Sequence, residues 1–559
     1  MSPATHSEPV MRVSTQLRAV LGRLAVLVTL EQQLFRVLVI YALTVGLLSL
    51  IIPLTVQELV NTFAYAIQPI MILTLAGIMV LVLLVVGGFR ALQYYAVEIL
   101  ERRVFARVAL ALTDFLPRVS VEGFKPKYAN QFMETVLMQR ALSVLLVDIL
   151  NVAIGGMVGM TILLFYHPYF IVFNAALVGS FLAVVLFFSY GGLRTTLAMS
   201  HAKYETLNWI QEIANNLLHF KVTVSRPLLT VKTDTLLLAY LEAREARFRV
   251  LIRQYLASVG WQACGHSGLI AMAGWLLAEG QITLGQFVAA EVIVGSLLLN
   301  FDSMIKRMPH LFYLLTSLTE LDVLFSRPKD RKPRQACQPL PDPTIQGLRL
   351  TCVGISFAYP QAPPVFEQFD MDVAPGEAVS ILAQASSGQM ALARVLAGLY
   401  APTSGAIRYN GVDLRDLDPE QLQGHLGVVF DYQPSLFDGT LEDNITMGRP
   451  AVGYQDVQWA LRVVELEDEV DMMPQGLRTL VSFRGKAFTT SLVQRILVAR
   501  AIVTRPWVLI LEGTLQGIPV ALRDRILRRL CSKEESWSVI CLSTDPTFTP
   551  QAARRLTLA

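Results

Sequence analysis

Charge is the first thing this chain lacks. Of its 559 residues only 16% are charged while 53% are hydrophobic, and the mean hydropathy is +0.48. A soluble protein of that length needs more ionised surface, so the shortage points to membrane spans. The net charge of +3 is too small to hold a polyanion, which sets nucleic acid aside as a partner. Cysteine is scarce as well. Cys264, Cys337, Cys352, Cys531 and Cys541 are scattered, odd in number and without a C-x-x-C pair. That spacing fits neither a disulfide framework nor a zinc site, and free thiols in a reducing cytosol are expected. The first 35 residues mix Arg12, Arg18 and Arg23 with Glu8 and Glu31, whereas a cleavable secretory signal runs from a short basic start straight into an apolar stretch.

Lysine and arginine are missing from three stretches: between Arg36 and Arg90, between Arg140 and Arg194, and between Arg253 and Lys306. A membrane helix takes roughly 20 apolar residues, so each gap holds two helices and a short outer turn. Six helices are expected, at about 37–60, 67–90, 141–165, 169–193, 255–278 and 284–305, within a first domain spanning 1–326. The turns read as Pro53 to Pro69, His167-Pro168-Tyr169 and Glu279-Gly280-Gln281. Cations gather between the gaps, at Arg102, Arg103, Arg107, Lys125 and Lys127, and again from Lys203 to Arg249. The positive-inside tendency puts both clusters and the N-terminus in the cytoplasm. A buried soluble core of helices would not lack cations over three gaps of near-equal length.

Two ionisable groups lie deep in the third gap. Glu291 is fifteen residues before Lys306 and His266 thirteen after Arg253, which is about 20 Å from the inner boundary at the helical rise. Groups at that depth face a bundle interior or a wet cavity. A substrate path and helix packing both account for them. Asp148 and Asp302 sit nearer the inner ends and are expected to reach water.

After Phe325 the composition changes. Residues 327–345 are rich in proline and charge and read as a linker. Beyond them, in 346–559, short strands alternate with helices: Leu348 to Ala358, Ala378 to Leu382, Val508 to Leu511 and Val539 to Leu542 as strands, Met390 to Leu399 as a helix. Such alternation argues for an α/β domain.

The runs FAYPQAPPVFEQFDMDVAPGEAVSIL, ARVLAGLYAPTSGAIRYNGVDLRDLDPEQL and PSLFDGTLEDNITMG, followed by VQRILVARAIVTRPWVLIL and WSVICLST, resemble the nucleotide-binding domain of ABC exporters. The resemblance covers 346–559. The six-helix half, with TLGQFVAAEVIVG opening its last helix, is similar to type I exporter membrane domains. The implied fold class is an α-helical membrane domain followed by a cytoplasmic α/β P-loop domain. ATP and Mg²⁺ are the implied cofactors.

Each piece of that family's chemistry can be checked residue by residue. A P-loop uses glycines so that backbone N–H groups approach phosphate, a lysine on the β and γ phosphates, and a hydroxyl on Mg²⁺. The matching run is Ala383-Gln384-Ala385-Ser386-Ser387-Gly388-Gln389-Met390. Ser386, Ser387 and Gly388 are the phosphate-binding candidates. Gln389 holds the lysine position and Met390 the hydroxyl position. A neutral amide offsets no phosphate charge, and a thioether is a poor ligand for a hard cation. Where the resemblance implies Asp then Glu after Val508-Leu509-Ile510-Leu511, the chain has Glu512, a weak Mg²⁺ candidate, and Gly513, which offers no base. Thr544 stands at the switch-histidine position. The LSGGQ signature is matched by Phe488-Thr489-Thr490-Ser491-Leu492, without its close-approach glycines. The Q-loop glutamine falls on Asp431 or Tyr432, with Gln433 adjacent. Tyr359 matches the aromatic that stacks on adenine, and equally fits a packing tyrosine at a strand end.

Half-transporters of this family pair, each nucleotide lying between one P-loop and the partner's signature. A homodimer of this chain would keep no intact site, and a heterodimer with another ABC half-transporter at most a slow one. The resemblance implies membrane lipid around the chain, a homodimer or heterodimer, a periplasmic adaptor for any path across an envelope, and the inner membrane of a bacterium with both termini cytoplasmic. Two functions follow from it, ahead of a third, a genuine ATPase with unusual motifs. One is an impaired subunit that exports a peptide, protein or lipid-like cargo with an ATPase-competent partner. The other is a pseudo-ATPase scaffold or regulator.

Overall fold

The computed structural model describes residues 29, 31–63, 69–120, 126–223, 226–327, 347–383, 386–430, 436–481, 488–513, 515–543 and 554–558. They form two compact units that divide after Arg327, with the short stretch from Arg118 grouped with the second.

The first unit is helical. Its main elements are α1 (Gln32–Leu48), α2 (Ile51–Phe63), α3 (Pro69–Phe115), α4 (Glu134–Tyr166), α5 (Tyr169–Phe188), α6 (Gly192–Asn215), α7 (Arg226–Ala278) and α8 (Leu284–Phe325). Among the described residues, five stretches are long and apolar enough to cross a membrane: Gln32–Thr62, Pro69–Arg118, Asn130–Tyr166, Tyr169–Asn215 and Leu284–Phe325. At 47 residues α3 reaches about 70 Å, over twice the hydrocarbon thickness, so it runs well past the bilayer. The expected first span is broken between α1 and α2. Pro53 has no N–H and its ring crowds the carbonyl four residues back, at Ser49, which is where α1 ends.

The stretch 255–278 lies within α7 but is not among the five. Gln262, His266 and Ser267 dilute its apolar character. Its polar groups are met by neighbouring helices instead. Ser258 Oγ donates to Asp302 Oδ1 at 2.7 Å, and Trp261 Nε1 donates to Ser180 Oγ at 2.9 Å. A buried hydroxyl or indole N–H needs such a partner in a medium without water.

Helix α8 forms much of this unit's core, through Ala290, Val294, Leu297 and Leu298 against Trp261, Leu269 and Ala273 of α7. The TLGQ run explains how it starts. Thr283 accepts from the Gln286 N–H while the Gln286 side chain accepts from the Thr283 N–H, a capping box. Gly285 lies so close to α2 that a Cβ there would meet Asn61 Oδ1 at 2.3 Å and the Gln57 carbonyl at 2.6 Å.

The second unit carries two main sheets. Strands β1 (Leu350–Ala358), β2 (Pro364–Val373), β4 (Ser404–Tyr409) and β5 (Val412–Asp413) pair antiparallel in the order β2-β1-β4-β5. Asn410 and Gly411, both at positive φ, close the tight turn between β4 and β5. The other sheet is parallel: β3 (Ala378–Ala383), β6 (Leu426–Phe430), β7 (Val508–Glu512), β8 (Ser538–Ser543) and β9 (Arg554–Leu558), in the order β9-β3-β8-β7-β6. Every residue of β7 and β8 is buried, as expected of central strands covered on both faces. The covering helices include α9 (Ser386–Leu396), α10 (Tyr454–Val463), α11 (Thr490–Ile502) and α12 (Val520–Leu530). Cys264, Cys352, Cys531 and Cys541 are free thiols. Burial pushes the Cys352 thiol up to about 12.

Candidate nucleotide site

The parallel sheet brings the ends of β3 and β7, on either side of β8, to the start of α9, the usual place for a ligand crevice in an open α/β sheet. Gly388 and Gln389 are buried in the first turn of α9, with Met390 half-buried beside them. A Cβ on Gly388 would come 3.0 Å from Leu558, so the final strand packs directly against this turn. Ser386 and Ser387 open the helix, but their side chains lie outside the described residues, as do Asp431, Tyr432, Gln433 and Thr544.

Two of the predicted positions meet. Gln389 Nε2 donates to Glu512 Oε1 at 3.0 Å, with the residues 9% and 3% exposed. The glutamine stands where the resemblance implies a lysine, and the glutamate where it implies the metal-binding carboxylate. The Gln389 carbonyl oxygen is buried and finds no hydrogen-bond donor among the described residues. An amide here offers the carboxylate a neutral donor where the resemblance implies a cation.

Gly513 follows directly. Its φ is +59°, and its N–H donates to the Leu542 carbonyl at 2.9 Å, pinning the turn to β8. The position where the resemblance implies a catalytic carboxylate therefore has a left-handed backbone, which costs a residue with a Cβ about 1–2 kcal/mol. The described residues hold no cluster of three or more His, Cys, Asp or Glu suited to a metal ion.

The signature run lies at the start of α11. Thr489 Oγ1 caps the helix by accepting from the Leu492 N–H at 3.3 Å. Thr490 is exposed, Ser491 and Phe488 are half-buried, and Phe488 packs against the core. The Gly517 N–H donates to Gln494 Oε1 at 3.1 Å, and a Cβ on Gly517 would come 2.9 Å from Thr490. This ties α11 to the stretch that follows β7.

Sequence reading missed two cations of the VQRILVAR run, Arg495 buried and Arg500 half-buried. Arg495 donates to the Glu465 carbonyl at 2.8 Å and to Glu469 at 2.5 Å. Arg500 donates to the Asn444 carbonyl at 2.6 Å, and burial pulls its pKa down to about 10. Arginines at these turns of an otherwise buried helix were the available signal. Tyr359 is half-buried and edge-on to Phe357 and Tyr400, at centroid distances of 5.0 and 6.1 Å, so it belongs to an aromatic cluster.

In the first unit His266 of α7 and Glu291 of α8 come together, Nδ1 to Oε1, at 3.1 Å. Each side chain is over a third exposed, at 40% and 37%.

The profile of the ABC transporter family matches residues 366–514. The mycobactin import ATP-binding/permease protein IrtB of Mycolicibacterium thermoresistibile is 29% identical over 304 residues, covering 54% of this chain and 49% of that protein. A multidrug efflux ATP-binding/permease protein of Mycobacterium tuberculosis is 29% identical over 283 residues, 48% of this chain and 23% of that protein. The chain spans about half or less of the length of these curated relatives. A solved bacterial Atm1-family ABC exporter with ATP bound shares the fold at a TM-score of 0.82 and 18% identity, covering 94% of this chain and 93% of its own. Residues 366–514 thus carry an ABC transporter domain, and the chain as a whole has the fold of an ABC exporter: a helical membrane domain followed by a nucleotide-binding domain.

Proposed function

We propose that this chain is a catalytically impaired subunit of an ABC-type export system, working with an ATPase-competent partner to move a peptide, protein or lipid-like cargo. The observation that carries the reading is the buried Gln389–Glu512 hydrogen bond. Phosphoryl transfer in such sites is almost entirely electrostatic positioning, by a cation on the phosphates, a metal and a group that orients water. Here the amide supplies no charge, Met390 no metal ligand and Gly513 no base. The residues do not fit Mg²⁺-ATP in the family's manner, and no hydrolytic step is assigned to this P-loop.

Relatives named for mycobactin import and multidrug efflux support a transport role over a scaffold. The basic segments between the apolar stretches support cytoplasmic termini, and the bacterial relatives support an inner membrane. Because Thr489–Leu492 also departs from the signature, a heterodimer keeps at most one slow composite site.

The purified chain is expected to release no phosphate above background with Mg²⁺-ATP. Co-purification from its native membrane is expected to bring a second chain with an intact P-loop, and with it activity. Sustained phosphate release by the chain alone would overturn the impairment. Recovery with no second ABC chain would favour the scaffold instead.

A further inference from the structure

The membrane unit encloses a cavity of about 640 Å³ between α1, α2, α3, α4 and α8. Its lining changes character along every long helix that forms it. On α3 the order is Leu83 and Val86, then Arg90 and Gln93; on α4, which runs the opposite way, it is Asp148 and Asn151, then Val152 and Gly155; on α8 it is Ile293 and Leu297, then Asn300 and Arg307. Three independent stretches of sequence thus place polar groups at the end nearer the basic connections and apolar groups at the other.

Most of the polar end is internally satisfied. Arg307 pairs with Asp148 at 2.5 Å. Gln93 and Asn151 exchange side-chain hydrogen bonds at 3.0 and 3.2 Å. Arg90 is different. It lines the cavity, is exposed to it, and makes no hydrogen bond or ion pair with any described residue. With the Arg307–Asp148 pair neutral in sum, Arg90 leaves this end with one uncompensated positive charge. An unpaired guanidinium beside a low-dielectric wall is costly unless a ligand supplies the counter-charge. At the apolar end a Cβ on Gly155 would meet nothing within 4 Å, so this glycine widens the cavity.

We propose that the cavity takes an amphiphile with an anionic head group, its phosphate or carboxylate on Arg90 and its hydrocarbon chain between Leu83, Val152 and Leu297. The assignment narrows the cargo of the transporter reading to one substrate class and rests on that reading for its biological meaning. Its chemistry follows from the segregation alone, since a polar or charged groove without the apolar half would suit a small anion, and an apolar groove without Arg90 a neutral lipid.

The test is equilibrium binding to the full-length chain in nanodiscs of zwitterionic lipid. Three fluorescent amphiphiles of equal chain length serve as probes, with phosphate, carboxylate and phosphocholine heads. At least one anionic probe should bind roughly tenfold tighter than the phosphocholine probe, and the stronger of the two identifies the head group. Arg90→Ala should abolish that preference, Arg90→Lys should keep most of it, and Gly155→Leu should weaken all three by filling the apolar end. Equal binding of all heads, or a preference that survives Arg90→Ala, overturns the proposal. So does a short-chain phosphate that binds as well as the long one. Elution of each variant as an intact particle excludes misfolding. Binding here needs neither nucleotide nor a second chain, so its failure leaves the phosphate-release and co-purification results standing, and theirs leaves it standing.

Discussion

Glu134 and Glu512 are both buried carboxylates, one in each unit, at 1% and 3% exposure, and they are met by different chemistry. Glu134 opens α4 and accepts from Lys203 Nζ at 2.8 Å, Tyr204 Oη at 2.6 Å and Ser317 Oγ at 2.6 Å. An ammonium and two hydroxyls from α6 and α8 replace the water it gave up. Glu512 has the neutral amide of Gln389 where the family's pattern has a cation. The first carboxylate joins three helices and gains from carrying charge. The second meets an uncharged amide donor at Gln389.

The largest expected effect breaks the first arrangement. Glu134→Ala strands Lys203 beside buried hydroxyls and removes three contacts at once. Losing one partner of a buried pair costs about 3–5 kcal/mol. Because Lys203 is 39% exposed and can turn to water, the lower end of that range applies here. Thermal unfolding of the detergent-purified chain should show the loss, and Glu134→Gln should recover part of it through hydrogen bonding. A change no larger than that of an exposed glutamate such as Glu98 would mean that the junction is held by packing alone.

The second arrangement is tested by restoring charge. Gln389→Lys places an ammonium against Glu512 and should raise affinity for Mg²⁺-ATP by tenfold or more, which equilibrium binding of a fluorescent nucleotide would read. Adding Gly513→Glu should cost about 1–2 kcal/mol of stability, because φ at 513 is +59°. It should bring no measurable turnover in the isolated chain, since Phe488–Leu492 still departs from the signature. Turnover in the double variant would confine the impairment to two residues and sharpen the comparison. Unchanged nucleotide affinity in Gln389→Lys would show that charge at 389 is not what the site lacks.

Much of the architecture was legible because it is written in local pattern. The cation-free gaps fall on long helices, apolar enough to span a membrane except at 255–278, and TLGQ and GTLEDN carry their helix caps in the sequence itself, Thr283 with Gln286 and Thr440 with Asp443. What was not legible is long-range or conformational. Gln389 and Glu512 are 123 residues apart, and only the adjacency of β3, β8 and β7 joins them. Nothing in the letters of Glu512-Gly513 reports a left-handed backbone. The same holds in the membrane unit. His266 and Glu291 read as two separate deep groups, and the pairing of α7 with α8 makes them one. By sequence Pro53 reads as the edge of a turn, whereas the chain remains helical beyond it and breaks one turn earlier.

A third carboxylate, more exposed than the other two, shows the lower limit of the effect. Glu465 follows α10 at φ +54° and holds Arg525 through contacts of 2.7 and 3.0 Å. The Arg525 guanidinium keeps its carboxyl below the usual glutamate range. A carboxyl with a lowered folded pKa adds stability above its unfolded value of about 4.3, and that contribution disappears as pH falls through the folded value. Arg525 is 52% exposed, so solvent screening keeps the pair weak. Arg525→Ala should therefore lower the unfolding temperature slightly at neutral pH and not at all once Glu465 is protonated in both states. Arg529 and Arg495 also lie near this carboxylate, so part of the acid sensitivity should survive the substitution. An equal loss at neutral and acid pH would assign the effect to the packing of the arginine stem on α12 and not to its charge.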